Sequence, residues 1–323
     1  MIFYWIQKAV AFAAFIALAA MGELLTEKSG GLNLGTPGTM CVGAAAGFIA
    51  AFRYCSAVAN PSVIAVLLIT LLTAFAASAL MGLIYSFFTV TMRINQNVVG
   101  LVMTILGCGL AEFLSIFFIK SESGNVRCDF ANTVFTARIP FLSEKLGVVS
   151  DLLFGYGFML YFTIALAVVL TIVFNKTRVG LNLRAVGESP STADAAGINV
   201  TAYKYAATTI GGAIAGLGGL YFVLDYTVGG WTNNGFGDRG WLAIAIVIFA
   251  LWRPKSAILS SVIFGGLYIA CVKIDGLSGP MKELIKMLPY VVTVIILVIT
   301  SMRKKRENQP PEALGLNYFR EER

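Results

Sequence analysis

The sequence predicts an all-α protein that crosses a membrane about eight to ten times. The 323 residues are 58% hydrophobic and only 13% charged, whereas a soluble domain has about 25% charged residues to cover its surface. The mean hydropathy is +0.80. Several stretches without any charge are also long enough to cross about 30 Å of hydrocarbon. Together these observations indicate an integral membrane protein.

The individual spans are predicted from the most apolar stretches. Four are long and uncharged, at 31–52, 61–84, 152–174 and 205–224. Five more are shorter or carry an acid, at 9–22, 98–119, 240–252, 256–272 and 287–302. A tenth span could lie near 86–97 or in the glycine-rich start of 31–52, so the side of the amino terminus stays open. The first stretch also resembles a secretion signal around Ala17-Leu18-Ala19, although Lys8 follows an apolar run rather than opening a basic region.

The basic residues predict how the chain is oriented. The cluster at 303–306 should stay in the cytoplasm, because lysine and arginine are enriched in cytoplasmic loops. Counting spans back from it places 253–255, 175–204, Arg93 and Lys28 on the same side, with fourteen of the 24 basic residues inside and ten outside. Six basic residues follow Ser301, so the net charge of +7 does not indicate nucleic-acid binding.

Several classes of chemistry are excluded by what the chain lacks. It contains no histidine, which excludes imidazole-dependent triads and most metal sites. The glycine-rich stretch 212–219 lies within a span and lacks the Gly-Lys-Ser/Thr ending of a phosphate loop, so the chain has no Walker-type nucleotide site. Gly43-x-x-x-Gly47 and Gly212-x-x-x-Gly216 are interpreted instead as small faces for helix packing. We therefore expect no enzyme.

The five cysteines are widely spaced and form no Cys-x-x-Cys pair; they are Cys41, Cys55, Cys108, Cys128 and Cys271. We interpret them as small buried hydrophobic side chains. A Cys55–Cys128 bridge outside the membrane remains open, because both residues fall in predicted outer loops.

The polar loop at 175–204 is the first of four segments that could carry function. Ser189-Pro190 predicts a turn and a helix start, 191–196 a short helix, and Gly197 its end. A short rigid helix that projects from a membrane domain suits docking into a groove on a soluble partner. The alternative, which stays open, is a solvated connecting loop.

Two further segments place polar side chains near or within the membrane. Asn95, Gln96 and Asn97 are hydrogen-bonding groups suited to a neutral polyhydroxylated or nucleobase solute, and a plain cytoplasmic turn is the alternative. Glu112 lies midway along an apolar span, where a charge costs about 2.5–3.5 kcal/mol, so it should face a protein interior or cavity. It could couple protons or serve a structural role, but the chain offers no histidine and no second predicted buried acid for a relay.

The fourth segment is the outer loop at 225–239, with Gly229-Gly230-Trp231 and Asn233-Asn234-Gly235. It could form a gate or a docking surface for an external partner. A passive surface loop is the alternative, since loops of this kind lie on the surface in most proteins.

Four parts of the sequence resemble one family. Residues 180–190, GLNLRAVGESP, and 193–198, ADAAGI, closely resemble the coupling segment of permease subunits from bacterial ABC importers. The branch is the one that serves ribose-like sugars, branched-chain amino acids and nucleosides. GELL at 22–25 with GLNLG at 31–35, and GDRGWLAIA at 237–245, resemble further signatures of this branch. The final REER resembles the shorter of the paired permeases in nucleoside importers that use a basic-membrane-protein-type lipoprotein receptor.

The resemblance implies an architecture and a set of partners. It implies a single transmembrane permease domain at 1–302, a cytoplasmic coupling helix in the 175–204 loop, and a basic cytoplasmic tail at 303–323. The permease would lie in the bacterial cytoplasmic (inner) membrane with a second homologous permease, or a second copy, a cytoplasmic ABC ATPase and an extracytoplasmic substrate-binding lipoprotein. The ATPase would use ATP and Mg²⁺, so this chain itself is expected to bind no cofactor.

The resemblance also implies a function and its residues. The chain would form the translocation path for a nucleoside; a simple-sugar permease is the alternative within the same mechanism, and a proton-coupled transporter using Glu112 is the alternative from another class. The resemblance assigns six residues to the interface with the ATPase: Arg184, Ala185, Gly187, Glu188, Asp194 and Gly197. After GLNLG the family commonly has an aliphatic residue, Glu and Gly, whereas this chain has Thr36-Pro37-Gly38 and lacks that acid.

Overall fold

The computed structural model describes residues 2–119, 125–137, 155–232, 235–236, 239–273, 279–303 and 309–320. Nearly all regular structure in these ranges is helical. The elements in chain order are α1 (Ile2–Lys28), α2 (Thr36–Ala57), α3 (Val63–Ser86), α4 (Gln96–Ile119), β1 (Asn125–Arg127), α5 (Asp129–Phe135), α6 (Phe158–Lys176), α7 (Arg178–Glu188), α8 (Pro190–Ala195), α9 (Val200–Tyr221), β2 (Gly230–Thr232), α10 (Arg239–Phe249), α11 (Pro254–Lys273), α12 (Gly279–Lys286) and α13 (Leu288–Arg303).

The predicted all-α membrane fold is confirmed, with differences in the spans. Among the described residues, six helices are long and apolar enough to cross a membrane: α1, α2, α3, α4, α6 and α9. The other three predicted spans form α10, α11 and α13, of which α10 has only 11 residues. A tenth helix is found at neither predicted place, because α3 continues into a π-helical turn at Phe87–Thr91 and 29–35 forms a turn before α2.

Several basic residues at or near helix ends meet at one end of the bundle. Lys28, at the end of α1, lines a hollow together with Arg184 and Arg253, so basic residues that were predicted to be cytoplasmic meet there. Further along α1, the ring of Phe12 is buried and stacks on that of Tyr268 in α11, with centroids 4.2 Å apart. The number of crossings and the side of the amino terminus stay open, as in the sequence analysis.

The core is built around α1 and α9, which are buried for most of their length. The backbones of the helices approach closely at small residues. A Cβ at Gly22 would lie 2.3 Å from the Gly211 carbonyl oxygen, and one at Gly43 would lie 2.6 Å from the Gly216 Cα. Such contacts replace the hydrophobic driving force that is missing between helices in lipid. The predicted packing role of the small faces is thus confirmed at Gly43 and Gly216.

In contrast, α3, α4 and α6 expose large apolar side chains along one face. Ile64 is 70% exposed and Ile105 is 75% exposed. A monomeric soluble protein rarely exposes continuous apolar patches of this kind. This outer face is suited to contact lipid or another membrane subunit.

Two short strands join the outer loops. β1 and β2 pair in antiparallel fashion, with Val126 opposite Trp231. The indole of Trp231 is 5% exposed and stacks on the ring of Phe48 in α2, with centroids 5.9 Å apart. The predicted outer loop 225–239 is therefore anchored to the bundle at Trp231, while Val228 is exposed. Asn233 and Asn234 lie outside the described residues.

The cysteines form two close pairs of free thiols among the described residues. Cys41 in α2 and Cys108 in α4 have their sulfur atoms 3.3 Å apart. Cys55 near the end of α2 lies close enough to Cys128, just before α5, for the two thiols to interact. The burial predicted for these side chains holds for Cys41 and Cys128, while Cys55 and Cys108 are half-buried.

We expect the oxidant diamide to join Cys55 and Cys128, since disulfide formation requires two sulfur atoms that are already neighbours. Two thiol hydrogens pass to diamide as the sulfur–sulfur bond forms. Mass spectrometry of unreduced peptides would detect the 55–128 link. A Cys55→Ser chain should lack it, and its absence from the oxidised wild-type chain would contradict the observed proximity.

Candidate coupling surface

Two short helices make up the predicted coupling loop. α7 begins after Thr177, whose hydroxyl accepts a hydrogen bond from the Gly180 N–H (3.2 Å). α8 begins after Ser189, whose hydroxyl accepts one from the Thr192 N–H (3.4 Å). Such caps satisfy N–H groups that the first helical turn leaves unpaired. α8 stops before Gly197, which has a φ of +83°, as predicted, whereas α7 is a helix that the sequence analysis did not predict.

α8 rests on a small apolar cluster. Ala193 of α8 packs with Val186 of α7 and Val200 of α9, and each of these side chains is at most 4% exposed. The opposite face of the helix is open and carries only small side chains: Ser191, Thr192, Ala195 and Ala196. The loop therefore presents a short, firmly seated helix with a smooth surface at the cytoplasmic end of the bundle.

α7 touches the end of α1 at Gly187. A Cβ at this position would lie 2.3 Å from the Lys28 carbonyl oxygen and 3.3 Å from the Gly30 nitrogen, both backbone atoms. Only glycine allows this approach. The Gly187 carbonyl also accepts a hydrogen bond from the Ala313 N–H (3.0 Å), and the Gly30 carbonyl accepts one from Gly315 (3.1 Å). The two helices and residues 309–320, here called the tail segment, thus meet at one point.

The tail segment also holds α8 through Asp194. The Tyr318 hydroxyl donates a hydrogen bond to Asp194 Oδ2 (2.8 Å), and the Arg320 Nε lies 3.2 Å from the same oxygen. Next to Tyr318 in the tail, the Asn317 amide donates to the Arg93 carbonyl (2.6 Å). Asp194 is therefore connected through the tail to the turn between α3 and α4.

The charged residues of α7 lie beside a cationic hollow of about 570 Å³. Its wall includes Arg184, Glu188, Lys28 and Arg253. The Nε atom of Arg184 is buried and has no hydrogen-bond partner among the described residues. The Arg184 side chain lines the hollow, so its guanidinium is placed to donate hydrogen bonds to a carboxylate that enters there. All six predicted interface residues thus lie at the same cytoplasmic end, with Ala185 packed beside the apolar cluster.

A match to a family model shows which family the chain belongs to. The model, described as "Branched-chain amino acid transport system / permease component", matches residues 6–297, which is nearly the whole chain. The chain belongs to this permease family. It is accordingly a multi-pass protein of the inner membrane and a transporter component, as the sequence predicted.

Individual relatives of the permease cover almost its full length. The nucleoside ABC transporter permease protein NupC of Lactococcus lactis is 29% identical over 94% of this chain and 93% of its own. The guanosine ABC transporter permease protein NupQ of Bacillus subtilis is 30% identical over 97% and 95%. TsgC13 of Haloferax volcanii, named as a glucose ABC transporter permease protein, is 27% identical over 96% and 95%. NupB and NupP, from the first two organisms, match at 23% and 24% identity.

The three amides predicted for the solute path lie at the cytoplasmic end of the permease. The Asn95 carboxamide oxygen caps α4 by accepting from the Asn97 and Val98 N–H groups (3.0 and 3.2 Å). Gln96 is 4% exposed; it accepts from the Leu32 N–H (2.8 Å) and donates to the Leu316 carbonyl (3.2 Å). Asn97 is exposed. Asn95 and Gln96 thus hold loops together, and a role of the three amides in the path stays a prediction.

Glu112 lies on a half-buried side of α4, close to the Cys41–Cys108 pair. Its backbone carbonyl accepts a hydrogen bond from the Ser115 hydroxyl (2.9 Å). Its carboxylate has no hydrogen bond or ion pair with any residue that the structure describes. The protein-facing position is as predicted, but no relay partner accompanies it there.

The sequence analysis missed two buried acids of the permease. α1 extends six residues beyond the predicted span 9–22, so Glu23 and Glu27 are helical and only 2% and 1% exposed. The Trp252 indole donates to the Glu27 carboxylate. Glu23 accepts from the Asn33 N–H (3.1 Å) and the Thr36 hydroxyl (2.5 Å). The expectation of a single buried acid was therefore wrong, and Glu23 fixes the turn that leads into α2.

Proposed function

We propose that this chain is the transmembrane subunit of an ATP-driven nucleoside importer and couples to a separate cytoplasmic ATPase through α8. The nearly full-length match to nucleoside and guanosine ABC permeases carries the proposal. The coupling surface supports it independently, because a short capped helix with a smooth open face is suited to a groove on another protein. ATP and Mg²⁺ belong to the ATPase in this scheme, and this chain binds neither.

Movement of the ATPase would pass into the membrane by two contacts. One is Gly187, whose backbone lies against the end of α1, so that α7 and α1 must shift together. The other is Asp194, which the tail segment connects to Arg93 and Gln96 at the start of α4. Arg184 and Glu188 would form charge-assisted bonds to the ATPase, and Gly197 would supply the left-handed turn after α8.

Two further partners complete the proposed importer. A second, distinct permease is supported by the paired relatives, since NupC and NupB come from one bacterium and NupQ and NupP from another. The exposed apolar faces of α3, α4 and α6 offer surface for such a contact within the bilayer. An extracytoplasmic binding protein would deliver the solute to the opposite face, near the packed β1–β2 loops.

A sugar permease is the second candidate, and the Haloferax volcanii glucose permease protein favours it. The coupling mechanism would be unchanged, because α8 and its supports do not contact the solute. The two candidates differ only in what crosses the membrane.

We expect uptake of labelled guanosine and uridine, but not of ribose or glucose, to depend on this chain. Cells with and without the chain would be compared, with and without a protonophore, while a fermentable substrate maintains ATP. Nucleoside uptake should survive the protonophore, because ATP drives it. If only the uptake of sugar depended on the chain, the substrate would be a sugar and the proposed mechanism would be unchanged. If the protonophore abolished uptake while ATP was intact, ATP-driven transport would be contradicted.

Glu112→Gln provides a direct comparison within the same assay. Glutamine keeps the shape of the side chain and removes its charge, so we expect nucleoside uptake within about twofold of the wild-type rate. A proton-coupled transporter that used this carboxylate would instead lose uptake. Equal amounts of the two chains in the membrane, measured by immunoblot, are required for the comparison.

A further inference from the structure

A polar cavity of about 390 Å³ lies at the cytoplasmic end, behind α8. The turn after α3, the loop before α9 and the tail segment enclose it. Its wall includes Thr89, Arg93, Gln96, Asp194, Lys204 and Arg320. This cavity is separate from the hollow beside Arg184, and the coupling mechanism makes no use of Lys204.

Lys204 is the notable residue of this wall. It lies in the second turn of α9 and is only 4% exposed, yet no described residue forms a hydrogen bond or an ion pair with its ammonium group. The acid in the wall, Asp194, is bonded to Tyr318 and Arg320. A largely desolvated charge without a partner is unfavourable, and the cavity is the space that Lys204 lines. The cavity therefore provides a place for a negatively charged group that this chain does not supply.

Two other features of the wall attract the same kind of group. The cavity is also lined by Asn199, Val200 and Thr201 at the amino end of the 22-residue α9, where unpaired N–H groups and the helix dipole favour anions. Arg93 adds a second cation, held in place with its guanidinium 4.9 Å from the centre of the Phe319 ring. Arg320 is neutralised by Asp194, so the described wall retains two positive charges.

We propose that this cavity is a binding site for a phosphate group presented from the cytoplasmic side. Its volume lies within the range of about 300–1,000 Å³ found for small-molecule sites, so a phosphate monoester as large as a nucleoside monophosphate fits, and a lipid phosphate headgroup has the same chemistry. The ligand would bridge Lys204 in α9 and Arg93 before α4. Because Asp194 and Arg320 share the wall, an occupant would also stabilise the contact between the tail segment and α8. The proposal does not depend on which solute the permease carries.

The test is binding of radiolabelled inorganic phosphate and of guanosine monophosphate to the full chain in phosphatidylcholine nanodiscs. Guanosine serves as the phosphate-free comparison. We expect Lys204→Met to weaken phosphate binding by roughly tenfold or more, which is the usual effect of losing a charged hydrogen bond. Lys176→Met, which removes an exposed lysine from the same face, should bind as the wild type does. A parallel arm replaces the soluble ligands with phosphatidic acid in the nanodisc.

Each outcome decides the proposal. If Lys204→Met loses binding of inorganic phosphate or nucleotide but retains phosphatidic acid, the ligand is soluble. If it loses only the retention of phosphatidic acid, the ligand is a lipid. Arg93→Gln should weaken the same ligand, which guards against a Lys204 variant that folds poorly. Binding that is absent from the wild type in both arms, or equal in wild type and Lys204→Met, overturns the site.

Discussion

We expect the Gly187→Val permease to reach the membrane in normal amounts and to transport almost no solute. The added Cβ would lie 2.3 Å from the carbonyl oxygen of Lys28. That atom belongs to the backbone of α1, which is buried among other helices and cannot move aside. α7 must therefore lift away from α1, and α8 moves with it because Ala193 packs on Val186. Overpacking of this kind lowers folding stability by about 1–3 kcal/mol. The membrane bundle can tolerate that loss, but the coupling surface would be displaced.

The control for this substitution is Gly109→Val, because a Cβ at Gly109 meets no atom within 4 Å. Uptake, membrane content and co-purification of the ATPase should be measured for both variants. We expect Gly109→Val to behave as the wild type and Gly187→Val to fail in uptake and in ATPase binding. Normal uptake by Gly187→Val would show that the contact between α7 and α1 does not transmit coupling.

We expect Glu23→Ala to destabilise the permease by about 3 kcal/mol, the size typical of deleting a buried hydrogen-bonded group and leaving a cavity. The carboxylate accepts from the Asn33 N–H and the Thr36 hydroxyl, and no other acceptor is bonded to that N–H among the described residues. Alanine would leave the Asn33 N–H buried and unsatisfied, and the Thr36 hydroxyl with only the Asn33 carbonyl as acceptor (3.2 Å). The turn between α1 and α2 supports the contact of Gly30 with the tail segment, so uptake should fall together with stability.

Thermal unfolding of the purified chain, followed by the loss of monodisperse protein, would measure this effect. Glu23→Gln is the matched comparison, because its carbonyl oxygen can still accept a hydrogen bond and should keep most of the stability. If alanine and glutamine lowered the unfolding midpoint equally, the charge of Glu23 would matter more than its hydrogen bonds. An alanine variant as stable as the wild type would remove the structural role.

Features that depend on local sequence were predictable. Uncharged runs such as 61–84 became membrane helices, because a helix satisfies its own backbone in lipid. α8 was predicted from the Ser189-Pro190 start and the Gly197 end, since both signals act within one helical turn. The residues predicted for the ATPase interface lie at one end of the bundle because one loop carries them all, and their role there stays a prediction.

Features that depend on distant contacts were not predictable. Nothing near Glu23 in the sequence indicates that Asn33 and Thr36 turn back on it, so the first span was predicted to end at Gly22. The sequence of the tail segment indicates only a polar coil. Its hydrogen bond from Asn317 to the Arg93 carbonyl joins residues that are 224 positions apart. The unpaired charge of Lys204 is likewise visible only when the walls around it are in place.

The tail segment has a consequence for how the permease is made. Residues 309–320 follow all the helices that the structure describes, yet they supply bonds to the turn after α1, to the turn before α4 and to α8 itself. During synthesis the earlier loops emerge first and must wait for the tail before they reach their final arrangement. A chain that is still being inserted therefore has an unfinished cytoplasmic face. An ATPase that docks on α8, as proposed, would meet the finished surface only after the tail segment has been made.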